Sequence, residues 1–198
     1  MKPLGLLLAP GAGADRDQPS LVALDQAATA AGVVVSRMDF PYRKAGRRAP
    51  DRAPVLVASV VEEAKALSGH AGALVLGGRS MGGRMCSMAV AEGLAAAALV
   101  LISYPLHPPG RPERGRDAHF PDLDVPCLFV SGTRDAFATP AELAEATAAI
   151  PGPVTRRLVE GGDHGLRGKD RAVTEAVAEW LAERFPALWH PPAAPDAG

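Results

Sequence analysis

The segment 73–84 reads Ala-Leu-Val-Leu-Gly-Gly-Arg-Ser-Met-Gly-Gly-Arg and contains a G-x-S-x-G pentapeptide at 78–82. Four apolar residues before the pentapeptide predict a buried strand, and a helical pattern begins at Met81. Between a strand and a helix, this pentapeptide predicts a sharp turn that exposes Ser80, with glycines avoiding backbone collisions on either side. The alternative is an ordinary turn in which Ser80 only caps the helix.

Short apolar runs alternate with longer amphipathic stretches along the rest of the chain. The predicted strands are Leu4–Ala9, Val33–Met38, Ala73–Leu76, Ala97–Ser103, Cys127–Ser131 and Val154–Val159. The predicted helices are Pro19–Ala31, Pro54–Leu67, Met81–Gly93, Pro140–Ile150 and Asp170–Phe185. Strands that are apolar on both faces are typical of a parallel sheet. The alternation therefore predicts an α/β fold, a three-layer α/β/α sandwich around a mainly parallel sheet of about six strands.

The length of 198 residues suits a single domain, which we predict over 1–190 with no separate lid domain. The segment 191–198 is predicted to be a disordered tail. Two long irregular segments, Pro41–Ala53 and Tyr104–Val125, follow predicted strand ends. Because ligands of such sheets bind outside the carboxyl ends of the strands, these two segments are expected to roof the site.

Charge and hydropathy exclude several classes of partner. The 21 Lys and Arg residues nearly balance the 22 Asp and Glu residues, so the bulk charge offers no field for nucleic acid or an anionic membrane. The longest apolar run, Leu94–Ile102, is far shorter than the roughly 20 residues of a membrane span. The apolar N-terminal stretch is too short for a signal peptide. We therefore expect a cytoplasmic protein that binds neither nucleic acid nor membrane.

A nucleophilic serine needs a base, and the base needs a carboxylate to orient it. Asp135 follows the predicted strand Cys127–Ser131, and His164 lies in a glycine-rich turn after Val154–Val159. Their order along the chain, serine then acid then histidine, is that of an α/β-hydrolase triad. We predict Ser80, Asp135 and His164 as catalytic residues. The alternatives are a turn or helix-capping aspartate and a solvated loop histidine.

Acyl transfer also needs donors for the developing oxyanion. The backbone N–H of Met81, directly after the serine, is one predicted donor. The second is predicted in the glycine-rich loop after the first strand, at the N–H of Ala12, where Gly11 lets the backbone approach a substrate closely. The alternative is an ordinary glycine-rich turn.

Other interpretations of the glycine-rich segments fit less well. A phosphate-binding Walker loop needs Lys and Ser or Thr after its last glycine, where this chain has Arg84 and Met85. A dinucleotide-binding fingerprint needs a further glycine where Arg16 stands. The five histidines are too far apart in sequence for a metal motif. We expect no cofactor and no metal, and a flavodoxin-like nucleotide binder is disfavoured.

Four segments together resemble a small, lidless branch of the α/β-hydrolases. They are Gly-Gly-Arg-Ser-Met-Gly-Gly-Arg at 77–84, Phe-Pro-Tyr at 40–42, Tyr-Pro-Leu-His-Pro-Pro-Gly at 104–110 and Gly-Thr-Arg-Asp at 132–135. The chain is similar to dienelactone-hydrolase-like proteins and to the hydrolase-like family that includes a testis-expressed protein and a subunit of the nonspecific-lethal acetyltransferase complex. The resemblance runs from about Leu4 to Phe185. It implies the same triad and a core without the first two strands of larger hydrolases. Many relatives have His-Gly where this chain has Pro10-Gly11.

These observations predict a serine hydrolase of the carboxylesterase, thioesterase or lactonase type, acting on a small acyl substrate through an acyl-enzyme. Because some members of the family are subunits of complexes, a non-catalytic protein-interaction module is the alternative. Peptidase chemistry uses the same triad and stays open. Both a monomer and a homodimer are compatible with the sequence.

The expected substrate contacts come from the two irregular segments and the serine turn. The segment from Arg37 to Pro54 contains six basic and two acidic residues, and Arg79 directly precedes Ser80. This excess of positive charge predicts an anionic substrate. The alternative is a basic loop that is only solvated. Arg84, one helical turn beyond the serine, is a candidate for a structural ion pair. Further predicted contacts are Gly11, Tyr104 and His107, and, less favoured, His119.

Overall fold

The computed structural model describes residues 2–190 and confirms the predicted α/β sandwich. Its strands are β1 Leu4–Ala9, β2 Val34–Arg37, β3 Ala73–Arg79, β4 Ala98–Ile102, β5 Cys127–Gly132 and β6 Val154–Val159. Its helices are α1 Pro19–Ala30, α2 Pro41–Lys44, α3 Ala53–Ser68, α4 Met81–Ala91, α5 Pro140–Thr147 and α6 Asp170–Arg184. The sheet order is β2-β1-β3-β4-β5-β6, and every neighbouring pair is parallel.

Two apolar clusters, one on each face of the sheet, bury the strands completely at the centre. Because side chains alternate along a strand, Leu6 and Leu8 of β1 pack with α1 and α6, whereas Leu7 packs on the other face with α3, α4 and α5. All six residues of β1 and all five of β4 are buried. The three layers follow from this burial on both faces.

The chain winds in two directions from the centre of the sheet. After β1 it crosses to β2 at one edge, and it then returns to place β3 against the other side of β1. Such a switch point leaves a crevice outside the carboxyl ends of the central strands. The loops after β1, β3, β4, β5 and β6 all leave from this edge, and these loops carry the predicted site residues.

The irregular segments and the last strand depart from the sequence-based expectation. Pro41–Lys44 forms a short helix, because Pro41 suits a first helical position and Tyr42 is fully buried. A 3₁₀ turn covers Phe120–Asp122 within the second segment. In β6, Arg156 and Arg157 are exposed, since this strand forms an edge of the sheet, where charged side chains discourage pairing with other chains.

The tail predicted over 191–198 lies outside the described residues. Among the helices of residues 2–190, none has both the length and the apolar composition needed to cross a membrane. The same residues contain no group of three or more His, Cys, Asp or Glu side chains close enough together to hold a metal ion.

Candidate active site

Ser80 occupies a sharp turn between β3 and α4 with a φ of 50° and a ψ of −116°. A side chain at either flanking glycine would collide with backbone: a Cβ at Gly78 would lie 2.5 Å from the carbonyl oxygen of Ala9, and one at Gly82 would lie 2.1 Å from the same atom. The pentapeptide therefore has glycines where β3 and α4 are in close backbone contact with the end of β1. A non-glycine residue at positive φ is the strained conformation associated with a nucleophile elbow.

Three side chains from three loops form a continuous hydrogen-bonded line. The Oγ of Ser80 lies 2.8 Å from Nε2 of His164. The Nδ1 of the same imidazole lies 3.0 Å from Oδ1 and 2.9 Å from Oδ2 of Asp135. Asp135 is only 1% exposed, whereas Ser80 and His164 are partly exposed. In this arrangement the carboxylate can fix the imidazole through Nδ1, which leaves Nε2 to accept the serine proton.

The loops after β5 and β6 are joined closely enough to fix the carboxylate against the imidazole. A Cβ at Gly132 would lie 2.1 Å from the carbonyl oxygen of Gly162, so the two backbones touch there. The N–H of Arg134 donates to that oxygen at 2.8 Å, and the N–H of Gly161 donates to Oγ1 of Thr133 at 2.9 Å. The separation of Asp135 and His164 is thus set by backbone contacts.

Phe137 is part of the site and was missed by sequence reasoning. Its ring stacks on the imidazole of His164, with centroids 3.9 Å apart and planes inclined by 26°. Its backbone N–H donates to Oδ1 of Asp135 at 2.8 Å. One residue therefore contacts both the carboxylate and the ring that it orients. The only sequence signal was its position two residues after Asp135, which by itself is unspecific.

The predicted oxyanion donors lie in backbone that is fixed around them. In the loop after β1, the N–H of Gly11 donates to Oε1 of Gln18 at 3.0 Å, and the N–H of Gly13 donates to the hydroxyl of Tyr42 at 3.1 Å. Neither the N–H of Ala12 between them nor that of Met81 has an acceptor among residues 2–190. Two backbone donors are therefore available near the serine.

A cavity of about 460 Å³ opens in front of Ser80 and contains most of the predicted site. It is lined by Gly11, Ala12, Gln18, Arg79, Ser80, Met81, Arg84, Pro105, Arg116, Phe137 and His164. The predicted contact Gly11 and the two predicted donors Ala12 and Met81 are thus at its wall. Of the described residues that line it, none is acidic and three are arginines.

Tyr104 and His107 do not line this cavity, which corrects their prediction as substrate contacts. Tyr104 is fully buried in an aromatic cluster, 5.2 Å from Phe120 between ring centroids, and its hydroxyl donates to the carbonyl oxygen of Arg116 at 2.9 Å. His107 lies on a separate cavity, where its Nε2 is 3.3 Å from Oε2 of Glu142.

The less favoured candidate His119 is also outside the cavity in front of the serine. Its Nε2 lies 2.8 Å from Oγ of Ser87 on α4. Tyr104, His107 and His119 therefore contact other parts of the fold and not the cavity in front of Ser80.

Arg79 lines the cavity, and its guanidinium also makes hydrogen bonds within the protein. Its Nη2 donates to the carbonyl oxygens of His164 at 2.8 Å and Gly165 at 2.6 Å. Burial lowers the pKa of this arginine, partly offset by the charges of Asp170, Asp163 and Asp135. The side chain thus holds the loop that carries His164, and its contact with a substrate stays a prediction.

The basic segment 37–54 does not line the cavity, and its cations are largely paired. Four of its cations form five ion pairs: Arg37 with Asp17 and Asp25, Arg43 with Asp15, Lys44 with Glu63, and Arg47 with Asp51. The hypothesis that this segment attracts an anionic substrate loses its physical basis. The cavity instead takes its positive charge from Arg79, Arg84 and Arg116, of which sequence reasoning missed Arg116.

Comparison with known proteins gives the same fold. The sequence model of a family described as alpha/beta hydrolase domain matches residues 3–184. Est1E from Butyrivibrio proteoclasticus is 18% identical over 93% of this chain and 89% of its own, with a TM-score of 0.76. An alpha-beta serine hydrolase homologue from Coxiella burnetii is 18% identical over 90% and 85%, with a TM-score of 0.74. A dienelactone hydrolase from Anabaena variabilis is 19% identical over 96% and 88%, with a TM-score of 0.72.

Proposed function

The chain belongs to the alpha/beta hydrolase domain family, and from this premise we propose that it is a serine hydrolase that cleaves the ester, thioester or lactone bond of a small acyl substrate. The observation that carries the proposal is the line from Ser80 Oγ to His164 Nε2 at 2.8 Å and on to Asp135. The Ser80 end of this line opens into a cavity that Ala12 and Met81 also line, and their backbone N–H groups have no acceptor among residues 2–190. A binding surface alone needs neither feature.

In the acylation step, Ser80 Oγ attacks the carbonyl carbon of the substrate while His164 Nε2 takes the hydroxyl proton. The Nδ1–H of the imidazolium stays hydrogen-bonded to Asp135, which stabilises its positive charge. The carbonyl oxygen becomes an oxyanion and is held by the N–H groups of Met81 and Ala12. When the tetrahedral intermediate collapses, the carbon–oxygen or carbon–sulfur bond breaks and the leaving group takes the proton from Nε2.

In the deacylation step, a water molecule takes the place of the leaving group. His164 Nε2 removes one of its protons as the oxygen attacks the acyl carbon bound to Ser80. The second tetrahedral intermediate releases the carboxylic acid, and the proton on Nε2 returns to Ser80 Oγ. One water is consumed for each bond cleaved, and the residues end in their starting protonation states.

A fluorophosphonate probe and a panel of acyl esters of varied chain length test the proposal. We expect the wild type to be labelled and to hydrolyse at least one ester, and Ser80→Ala to lose both properties, because the members of a triad act as a unit. Ser68→Ala is the matched control, since Ser68 is exposed on α3 and bonds only to the backbone of Lys65. This variant should be labelled like the wild type.

The outcome that contradicts the proposal is a folded wild-type protein, verified by circular dichroism, that is neither labelled nor active on any ester. That result would favour the non-catalytic interaction module instead. Labelling that survives Ser80→Ala would also contradict the assignment, because it would place the reactive hydroxyl elsewhere.

A further inference from the structure

Two arginines make the cavity in front of Ser80 strongly basic. Arg84 lies in the first turn of α4, and Arg116 lies in the irregular segment 104–125. Both line the cavity in front of Ser80. Both also line a second cavity of about 430 Å³, to which Arg114 contributes as well. Among the described residues that line the two cavities, none is acidic.

Neither arginine is neutralised by the protein. Within residues 2–190, no carboxylate lies within 4.0 Å of the guanidinium of Arg84 or Arg116, whereas four cations of the segment 37–54 have such partners. The Nε of Arg84 is buried and has no hydrogen-bond partner among these residues. Because two guanidinium groups on one cavity wall have no carboxylate partner among these residues, an anion is the ligand that would complement their charge.

Arg84 and Arg116 are also close enough for the charge of Arg84 to disfavour the protonated form of Arg116. The pKa of Arg116 is lowered first by burial and next by the charge of Arg84. Arg84 likewise contributes to lowering the pKa of His119, after burial. Positive charge is therefore concentrated at one place on the wall of the cavity.

The position of both side chains is fixed relative to the serine. The backbone N–H of Arg84 donates to the carbonyl oxygen of Ser80 at 3.1 Å, so the two residues are one helical turn apart and on the same face of α4. The backbone of Arg116 is anchored by the hydroxyl of the buried Tyr104 at 2.9 Å. The backbone of Arg84 thus lies roughly 6 Å along the axis of α4 from that of Ser80, and the side chains of both arginines line the same cavity as the serine.

We propose that Arg84 and Arg116 bind an anionic group of the substrate, a carboxylate or a phosphate, while Ser80 attacks its ester carbonyl. This inference rests on the proposed function and narrows its substrate class to anionic acyl esters. Guanidinium groups suit this task because their planar donors pair with two oxygens of a carboxylate or phosphate at once. The anion supplies the opposite charge that both guanidinium groups lack among residues 2–190.

Three 4-nitrophenyl esters of matched length test the proposal: the butanoate, the hemisuccinate, and an ester whose acyl chain ends in a phosphonate. In the wild type we expect kcat/KM for one or both anionic esters to exceed that for the butanoate. In Arg84→Gln and Arg116→Gln this preference should fall about 10-fold, mainly through KM, because each removes charge-assisted hydrogen bonds. Arg47→Gln removes the same charge from the segment 37–54 and should keep the wild-type preference.

A wild type that hydrolyses the butanoate at least as well as both anionic esters would overturn the inference while leaving the hydrolase proposal intact. An equal loss of preference in Arg47→Gln would also overturn it, because the effect would then be one of bulk charge. The difference between the carboxylate and phosphonate esters identifies the anion.

A binding measurement separates this inference from the proposed catalysis. Titration calorimetry of Ser80→Ala with succinate and with inorganic phosphate should show binding of at least one of them, and this binding should be lost when Arg84→Gln is added. Absence of binding for both anions to folded protein would overturn the inference even if esters are hydrolysed. Binding without any hydrolysis would uphold the anion site and contradict the hydrolase.

Discussion

Arg79 holds the loop of His164 from the position directly before the serine: its Nη2 lies 2.8 Å from the carbonyl oxygen of His164 and 2.6 Å from that of Gly165. Ser80 and His164 are therefore connected through the side chain of Arg79 as well as through their own hydrogen bond. The position of the imidazole depends on this contact, because the loop that carries it lies at the end of an edge strand.

Arg79→Ala is expected to lower kcat for a neutral ester about 100-fold with little change in KM. The reason is that a displacement of the imidazole of the order of 1 Å costs a factor of this size, whereas the cavity wall that binds substrate is mostly retained. Steady-state kinetics on the butanoate ester measure both constants. Arg79→Lys should restore part of kcat, and Arg171→Gln on the exposed face of α6 should change neither. A rise in KM at constant kcat would instead assign Arg79 to substrate binding.

Asp135→Asn is expected to lower kcat by about 10³ to 10⁴, because an amide cannot stabilise the imidazolium and favours the wrong tautomer of His164. Asp163→Asn is the matched control, since Asp163 precedes His164 directly but is exposed. The ratio of kcat values for the two variants is the measurement. If both lose activity equally, charge near the loop matters and the hydrogen bond to Nδ1 does not.

Gly82→Ala is expected to lower the free energy of unfolding by at least about 1 to 3 kcal/mol, because its Cβ would lie 2.1 Å from the carbonyl oxygen of Ala9 and only backbone can give way. Urea denaturation measures the change. Gly69→Ala is the control: the nearest atom to its Cβ is 3.6 Å away, so this variant should be neutral or slightly more stable. Equal stability of the two variants would contradict the close contact between β1 and α4.

The stability of the protein is expected to fall as the pH drops from about 6.5 to 4, in part through His119. Burial and the charge of Arg84 lower the pKa of this residue from 6.5 to about 4. The unfolded chain therefore binds the proton at a higher pH than the folded chain, so the contribution is complete above pH 6.5 and is lost on acidification. Because the ring is partly exposed, the loss is at most about 2 kcal/mol.

Urea denaturation at several pH values tests this titration. In His119→Gln the decline between pH 6.5 and 4 should be shallower than in the wild type. His70→Gln, which removes an exposed histidine, should retain the wild-type decline. Parallel curves for the wild type and His119→Gln would show that other groups account for the acid sensitivity.

The fold could be predicted from the sequence because the patterns that indicate its strands and helices are local. Strands buried on both faces, as in β1 and β4, need apolar residues at every position, and this pattern is visible without knowing the partners. The glycines at 78 and 82 are required by close backbone contacts that any such turn creates. The positions of Asp135 and His164 after strand ends followed from the parallel order of the sheet, which brings those ends to one edge.

Which charged side chains are paired and which reach the cavity could not be predicted in the same way. Which cation is neutralised depends on acidic residues from distant elements, such as Asp15 and Asp25 for the segment 37–54. Arg116 lies in an irregular segment without periodicity, so no pattern indicated that it reaches the cavity. Tyr104 illustrates the same limit, since its inward orientation results from packing against Phe120 and not from its neighbours in sequence.

The backbone at Ser80 bears on the choice between an enzyme and a binding module. A residue with a φ of 50° and a ψ of −116° is strained by about 1 to 3 kcal/mol, and glycine adopts such angles without that cost. A lineage that kept this fold only as a surface for partners would become more stable by exchanging the serine for glycine. Folding stability therefore gives no reason for a hydroxyl at position 80, whereas selection for reactivity does.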